Sequence, residues 1–294
     1  MTRALALDIG GTKVAAGVVD REGALLRRAQ APTPLGNGEE GLWTAIAEVI
    51  GEVRHGDEAV CGVGCGGPMT SGGERASPLN IPVWRDVPLR SRLAAMTGLP
   101  TFVDNDAKAL ALGEGWVGAA RGIDNFVAMV VSTGVGGGIV LNGNLLEGAD
   151  GNAGHIGHLT VCPEGRLCAC GARGCLEAEA SGSAIKAITG RAAEFADAET
   201  MARTGRLVGQ AVASVANLLD LRLAVVAGSV ALGFGEVFFR AAQAEIDERA
   251  RLTFSAGTRI MPAGLGDAGP LIGAAAVGWR GLRESSDVQA PPIP

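Results

Sequence analysis

The first group of residues that could do chemistry follows the apolar run Ala4–Leu7. It combines a carboxylate, two glycines, a hydroxyl and an amine, in the order Asp8, Gly10, Gly11, Thr12 and Lys13. Glycine lets the backbone approach a ligand closely, and the hydroxyl and amine can face phosphate oxygens. Strand-like residues resume at Val14, so the same segment also fits a plain hairpin turn. We give the two interpretations equal weight.

Two later glycine turns resemble the first in composition. Residues 132–138 lie between two apolar runs and contribute Thr133, Gly134 and Gly136, which could form the other side of a phosphate clamp. Gly228 and Ser229 follow the predicted strand 223–227 and could approach a ribose or base, although alone they would be an ordinary strand-to-helix turn. Together the turns strengthen the prediction of a nucleotide site.

Asp106 lies between these turns, after a short predicted strand, Thr101–Val103. A carboxylate there could accept the proton of a substrate hydroxyl during phosphoryl transfer. Asp is also suited to cap the helix predicted over 107–116, and Asn105 could be a turn former or a hydrogen-bonding group for a sugar. The residues alone leave these alternatives open.

Three cysteines within eight residues, preceded by a histidine, form the strongest metal signal. His158, Cys168, Cys170 and Cys175 offer one imidazole and three thiolates, which fits a closed tetrahedral zinc site of the structural type. The alternative is a set of reduced surface cysteines. Cys162 lies outside the pattern, and Cys61 and Cys65 are predicted core residues.

Composition limits the class of protein. The chain has 294 residues, a hydrophobic share of 47%, 46 glycines, a net charge of −6 and a pI near 5.2. This fits a well-buried α/β protein in two lobes and argues against a nucleic-acid partner. We find no apolar leader and no apolar stretch long enough to span a bilayer, so we expect a cytoplasmic protein that binds small molecules.

The predicted elements alternate between strands and helices. A turn of glycines and a hydroxyl residue between two strands occurs twice, which makes a duplicated fold plausible. Residues 78–88, with three prolines, are predicted as an extended surface segment, and the tail after Arg280 is expected to fray. Predicted strands cover 4–7, 14–19, 59–63, 101–103, 126–131, 138–141 and 223–227, and predicted helices cover 42–53, 89–96, 107–116, 205–219, 236–250 and a last helix from 270.

These motifs together resemble the ROK family of bacterial sugar kinases and repressors, over nearly the whole chain. Residues 8–13 are similar to its first phosphate motif, 132–138 to its second, and 227–230 to its adenosine motif, while His158 with Cys168-x-Cys-Gly-x-x-Gly-Cys175 is similar to its zinc signature. The resemblance implies an α/β, actin-like ATPase (ribonuclease H-like) duplicated fold with a cleft between two lobes. The small lobe would cover 1–105, completed by a helix over about 270–284, and the large lobe 106–269 with the zinc segment 158–175.

The resemblance also implies roles for individual residues. Asp8 would help to hold Mg²⁺-ATP, and Asp106 would deprotonate the 6-hydroxyl of a hexose. A structural Zn²⁺ and a homodimer are implied as well. The residues implied to contact sugar are Gly67, Asn80, Asn105, Asp106, His155, His158 and Glu177.

One residue departs from the family pattern. His155 stands where most members have a glutamate, and a neutral imidazole can donate a hydrogen bond as well as accept one. Together with the surrounding motif, this resembles the bacterial N-acetylmannosamine kinases, so we expect that substrate ahead of glucose. The alternative is a glucokinase in which His155 has drifted.

Non-enzyme functions are also possible within the family. Its repressors carry a helix-turn-helix segment ahead of the kinase-like core, whereas the first phosphate motif begins here at Asp8. We therefore expect no DNA-binding domain. A sugar-binding module without activity is disfavoured by Asp106 and the two phosphate motifs.

Overall fold

The computed structural model describes residues 2–287, and within them the strands form two sheets of five. In the first sheet β1, β2 and β3 form an antiparallel meander, and β4 and β5 continue the sheet from β1 in parallel. Its order is β3-β2-β1-β4-β5, and its strands are β1 Arg3–Ile9, β2 Lys13–Val19, β3 Leu25–Pro32, β4 Glu58–Cys65 and β5 Thr101–Asn105.

The second sheet repeats this arrangement. Its first three strands form an antiparallel meander, and the last two run parallel to the first. Its order is β10-β9-β6-β7-β8, and its strands are β6 Phe126–Val131, β7 Val135–Leu141, β8 Asn144–Leu145, β9 Leu223–Ala227 and β10 Arg259–Pro262. Written from the third strand of its meander, the order of the second sheet is β8-β7-β6-β9-β10, which matches β3-β2-β1-β4-β5 strand for strand. This match confirms the predicted duplication.

Helices connect the strands and cover the sheets. Predicted helix starts differ at three places. Helix α1 begins four residues earlier than predicted and α6 seven residues earlier, and α7 begins at Ser229 and is kinked at Gly235, just before the predicted start. The helices are α1 Gly38–Val53, α2 Leu89–Thr97, α3 Asp106–Val117, α4 Leu176–Ala180, α5 Gly182–Thr189, α6 Ala198–Leu219, α7 Ser229–Arg249 and α8 Gly269–Asp287.

The chain divides into two compact units. Unit 1 comprises residues 1–117, 147–152 and 267–294, and unit 2 comprises residues 118–146 and 153–266. This division differs from the predicted boundaries in two respects. Helix α3, expected to open the large lobe, lies in unit 1 because it packs on α8 and β4, and the short segment 147–152 returns to unit 1 from the middle of the chain.

Each unit has its own core. In unit 1, α1 covers one part of the sheet, and α8 packs on β1 and β4 through Leu271, Ala274 and Ala275. Cys61 and Cys65 are fully buried there, as expected. In unit 2, α7 packs on α6 and on strands β6 and β9, and side chains of all four elements belong to one core cluster.

The segment 78–88 lies only partly at the surface, which corrects the prediction. Ile81 and Trp84 are buried, and the indole of Trp84 stacks on that of Trp43 in α1 with ring centroids 4.7 Å apart. Prolines prevent a regular helix or strand there, but the large apolar side chains still fill the core.

Two further predictions need correction, one about a strand and one about the C-terminal tail. Strand β3 was not predicted, because its alternating pattern includes exposed Arg27 and Arg28 and gives a weak apolar signal. Residues 281–287, expected to fray, continue α8, and the rest of the predicted tail lies outside the described residues. None of the helices in the described range is long and apolar enough to cross a membrane.

Candidate functional site

In unit 1 the predicted site residues gather where three parallel strands end. Asp8 of β1 is in register with Gly64 of β4, which is in register with Asp104 of β5. Asn105 is the next residue of β5, and Asp106 begins α3 directly after it. The ends of parallel strands commonly bind ligands because the chain turns away there and leaves backbone and side chains accessible.

The first glycine turn lies against Asn80. A Cβ added to Gly11 would be 2.4 Å from the Asn80 carbonyl oxygen, so only glycine fits at this contact. The turn is a tight hairpin between β1 and β2, with the Gly10 N–H donating to the Lys13 carbonyl at 3.0 Å. Nδ2 of Asn105 lies against Gly67 in the same unit. The structure thus brings together the predicted phosphate turn and the predicted sugar residues of unit 1.

Asp8 has an unusual protonation equilibrium. Its pKa is raised from 3.8 to about 7, first by burial and then by the nearby charge of Asp106, while Lys13 partly opposes the rise. Cys65 lies beside both carboxylates, and its thiol pKa is raised by burial and then by Asp106 and Asp8. Asp8 and Asp106 are therefore close enough to repel each other, which is an arrangement that a cation would relieve.

Asn105 and Asp106 share the helix-capping role that was the alternative for Asp106. Asn105 precedes α3, and its Oδ1 accepts a hydrogen bond from the Ala107 N–H at 3.0 Å. Oδ1 of Asp106 also accepts from this N–H, at 2.8 Å. Asp106 is the first residue of the helix and is exposed, so its carboxylate is accessible to a ligand.

In unit 2 the second glycine turn is shorter than predicted. Strand β7 begins at Val135, so Gly136 lies in the strand opposite Val130, and the turn itself is Ser132–Gly134. The hydroxyls of Ser132 and Ser229 are 3.0 Å apart. The second and third glycine turns are thus neighbours at the ends of the parallel strands β6 and β9.

Glu177 and the histidine segment both lie next to this turn. Oε2 of Glu177 accepts a hydrogen bond from the Val135 N–H at 2.9 Å. The segment 154–157 packs on the beginning of β7, and the rings of His155 and His158 are 6.1 Å apart. Both histidines are exposed, so both are accessible to a ligand.

The four predicted metal ligands form one cluster. The donor atoms of His158, Cys168, Cys170 and Cys175 all lie within 4.8 Å of one another. Nδ1 of His158 is 3.7 Å from the Cys168 sulfur, and the sulfurs of Cys170 and Cys175 are also 3.7 Å apart. Because Nδ1 faces the sulfurs, Nε2 is the nitrogen that His158 can offer to another group.

Sequence reasoning missed a buried ionic network in unit 1. Lys108 is only 2% exposed; its ammonium pairs with Asp104 at 3.2 Å and with Glu147, and donates to the Gly151 carbonyl at 3.0 Å. Arg280 of α8 pairs with Glu147 at 2.6 Å. The spacing of four residues between Asp104 and Lys108 could have indicated their ion pair. The pair with Glu147 gives no such local signal, because Glu147 is distant in sequence.

The network also borders a pocket. Asp104, Glu147 and Arg280 help to line a cavity of about 310 Å³ in unit 1, and none of the predicted site residues lines it. We therefore assign the candidate site to the strand ends and not to this cavity.

Comparisons with known proteins agree with the geometry. The ROK family model matches residues 4–279. The glucokinase of Thermotoga maritima is 45% identical over 185 residues, which cover 62% of this chain and 58% of that protein, less than two thirds of its length. The N-acetylmannosamine kinase of Yersinia pseudotuberculosis serotype O:1b is 38% identical over 254 residues, covering 80% of this chain and 86% of that protein.

The fold is also similar to solved structures. The crystal structure of a ROK family glucokinase from Streptomyces griseus, in complex with glucose and AMPPNP, superposes with a TM-score of 0.82 at 30% identity, covering 95% of this chain and 99% of that one. The two sheets therefore have the actin-like ATPase fold of ROK sugar kinases. With the family model spanning nearly all of the described residues, the chain belongs to the ROK family.

Proposed function

We propose that the chain is an ATP-dependent sugar kinase that phosphorylates the 6-hydroxyl of a hexose, with Asp106 as general base. The observation that carries the proposal is the position of an exposed Asp106 at the end of β5, beside Asp8 and the first glycine turn. When bound, Mg²⁺-ATP supplies the transferable phosphoryl group and neutralises its charge. Asp106 then accepts the proton of the sugar hydroxyl, and Asn105 and Gly67 orient the sugar.

The residues of the first turn fit a magnesium nucleotide. Asp8 offers a carboxylate whose raised pKa reflects burial and a neighbouring negative charge, and a divalent cation compensates both. Gly10, Gly11, Thr12 and Lys13 offer backbone groups, a hydroxyl and an ammonium to phosphate oxygens. From unit 2, Thr133, Gly134, Gly136, Gly228 and Ser229 are the proposed nucleotide contacts.

The test of this assignment is Asp106→Asn, followed by a coupled assay of ADP release. General-base catalysis contributes about 10²–10⁴ in rate, so we expect kcat to fall by that factor while sugar binding, measured by calorimetry, is retained. A kcat close to that of the wild type would remove Asp106 from the base role. Asp150→Asn, which changes an exposed carboxylate of unit 1, is the matched control.

We propose a structural zinc ion as the occupant of the His/Cys cluster. Tetrahedral zinc with bonds of about 2.3 Å to sulfur places two sulfurs about 3.8 Å apart, and the Cys170–Cys175 separation of 3.7 Å fits this. Four protein donors leave no open position, so zinc would order the segment and orient His158 without taking part in the reaction. Nε2 of His158 would then be available to a sugar hydroxyl.

The specific sugar that we propose is N-acetylmannosamine. The supporting observations are the exposed imidazole of His155, which can donate a hydrogen bond where a glutamate could only accept, and the match to the Yersinia protein over 80% of this chain. Glucose is the second candidate, favoured by the higher identity to the Thermotoga glucokinase over a shorter segment. Comparing kcat/KM for N-acetylmannosamine, glucose, N-acetylglucosamine and mannose separates the two.

The outcome for each candidate is distinct. If His155 selects the substituent at C2, N-acetylmannosamine has the highest kcat/KM, and His155→Glu shifts the preference toward glucose. A wide lead for glucose in the wild type would refute the role given to His155. Absence of turnover on every hexose would refute the kinase itself.

A further inference from the structure

The start of β7 is held by two segments of unit 2 that come from different parts of the chain. One is the segment 154–157: a Cβ on Gly157 would lie 2.1 Å from the Val135 carbonyl oxygen. The other is α4, from which Glu177 Oε2 accepts the Val135 N–H at 2.9 Å. Val135 directly follows the second glycine turn, so these contacts fix the residue at which the turn ends.

The turn itself is bonded to the beginning of α5. The Gly182 N–H donates to the Ser132 carbonyl at 2.7 Å, and the Ser183 N–H donates to the Thr133 carbonyl at 3.3 Å. A Cβ on Gly134 would be 2.8 Å from Oε2 of Glu177, so the carboxylate also packs directly on the turn. Of all these contacts, the one made by Glu177 is the one with a charged acceptor, which makes it stronger than a neutral hydrogen bond.

Both holding segments lead into the His/Cys cluster. His158 directly follows Gly157, and Cys175 directly precedes α4. Near the cluster the two segments are joined by backbone contacts, because the Leu176 N–H donates to the Leu159 carbonyl at 2.8 Å and Thr160 bridges Cys175. Whatever orders the cluster therefore also orders the two segments that hold the turn.

We propose that Glu177 is a positioning residue for the nucleotide: it fixes the second glycine turn through the Val135 N–H, and it couples the order of the His/Cys cluster to nucleotide affinity. This inference rests on the proposed function, in which the turn contacts ATP. It gives Glu177 a task separate from sugar binding, since one carboxylate oxygen is engaged with the backbone of the turn. A carboxylate beside the turn would repel phosphate if it faced the nucleotide, so its role is to hold the backbone.

The primary test measures nucleotide binding without sugar and without turnover. AMPPNP with Mg²⁺ is titrated calorimetrically into the wild type, Glu177→Ala, Glu177→Gln and the control Glu164→Ala. The control removes an exposed carboxylate that lies between His158 and Cys168 in the sequence. Loss of a hydrogen bond to a charged acceptor corresponds to a weakening of about 10-fold. We expect that loss for Glu177→Ala, a smaller one for Glu177→Gln because its amide oxygen can still accept, and none for Glu164→Ala.

A second measurement follows the turn itself. Amide hydrogen exchange of the peptide containing Val135 should be faster in Glu177→Ala, and also in the wild type after metal is removed with a chelator. The zinc content of Glu177→Ala, measured by mass spectrometry, should equal that of the wild type, because no metal ligand is changed.

The outcomes separate this inference from the proposed function. If the wild type binds AMPPNP and Glu177→Ala binds it within threefold of the wild type with unchanged exchange at Val135, the positioning role is overturned. If the wild type neither binds AMPPNP nor turns over any hexose, the kinase proposal fails first.

Discussion

Replacing Asp8 by Asn should stabilise unit 1 at alkaline pH while it abolishes the proposed activity. The pKa of Asp8 rises from 3.8 to about 7 because the carboxyl is buried and lies near Asp106. A carboxyl whose pKa is higher in the folded state than in the unfolded state lowers stability as pH rises between the two values. Asn has nearly the same shape and carries no charge, so it avoids this cost.

The magnitude follows from the shift. Each unit of pKa corresponds to about 1.36 kcal/mol. As pH rises from 5 to 8, the difference in unfolding free energy between Asp8→Asn and the wild type should therefore increase by about 3 kcal/mol in favour of the variant. This value is a ceiling, because part of the Asp8 surface is accessible to water. The difference should level off only above about pH 8, where Asp8 is almost fully ionised in both the folded and the unfolded state.

The assay is denaturant unfolding followed by tryptophan fluorescence at pH 5, 6, 7 and 8. All four tryptophans, at positions 43, 84, 116 and 279, lie in unit 1 with Asp8, so the signal reports that unit. Asp150→Asn, an exposed carboxyl in the same unit, should run parallel to the wild type. A stability difference between Asp8→Asn and the wild type that does not change with pH would refute the reasoning.

Three further predictions concern other parts of the molecule. Cys170→Ser should lose bound zinc and lower the melting temperature of unit 2, whereas Cys162→Ser should keep stoichiometric metal by mass spectrometry; metal retained in Cys170→Ser would contradict the ligand set. Lys108→Met should cost about 3 kcal/mol in denaturant unfolding, because it leaves Asp104 and Glu147 without their buried cation, and exposed Arg121→Met serves as control. Gly157→Ala should weaken AMPPNP binding by pushing the Val135 carbonyl away, and Gly51→Ala, at an exposed position of α1 with no atom near its Cβ, should leave binding unchanged.

The His/Cys cluster and the strand-end residues could be predicted because the information is local. Cys168, Cys170 and Cys175 lie within a few residues of one another, Asp8 directly follows the apolar run 4–7, and Asp106 comes shortly after the predicted strand 101–103. The same holds for the repeated glycine turns, whose composition sets them apart from the strands on either side.

Features that depend on distant partners could not be predicted. Trp84 lies in a proline-rich segment that resembles a surface loop, and it is buried because it joins the core cluster of unit 1, where it stacks on Trp43. Likewise, Lys108 is kept buried by Glu147, which is 39 residues away in sequence. The hydrogen bond from Val135 to Glu177 is of the same kind, since nothing in either local sequence indicates the other.

The repeated sheet order has a consequence for how this protein can change. In unit 1 the connection from β3 to α1 is residues 33–37, whereas at the same point of the repeat, between β8 and α6, the chain inserts residues 146–197. That insertion carries His155, the whole His/Cys cluster and Glu177. Changes confined to this insertion would therefore alter these residues while strand β1, which carries Asp8, and the start of α3, which carries Asp106, keep their sequence.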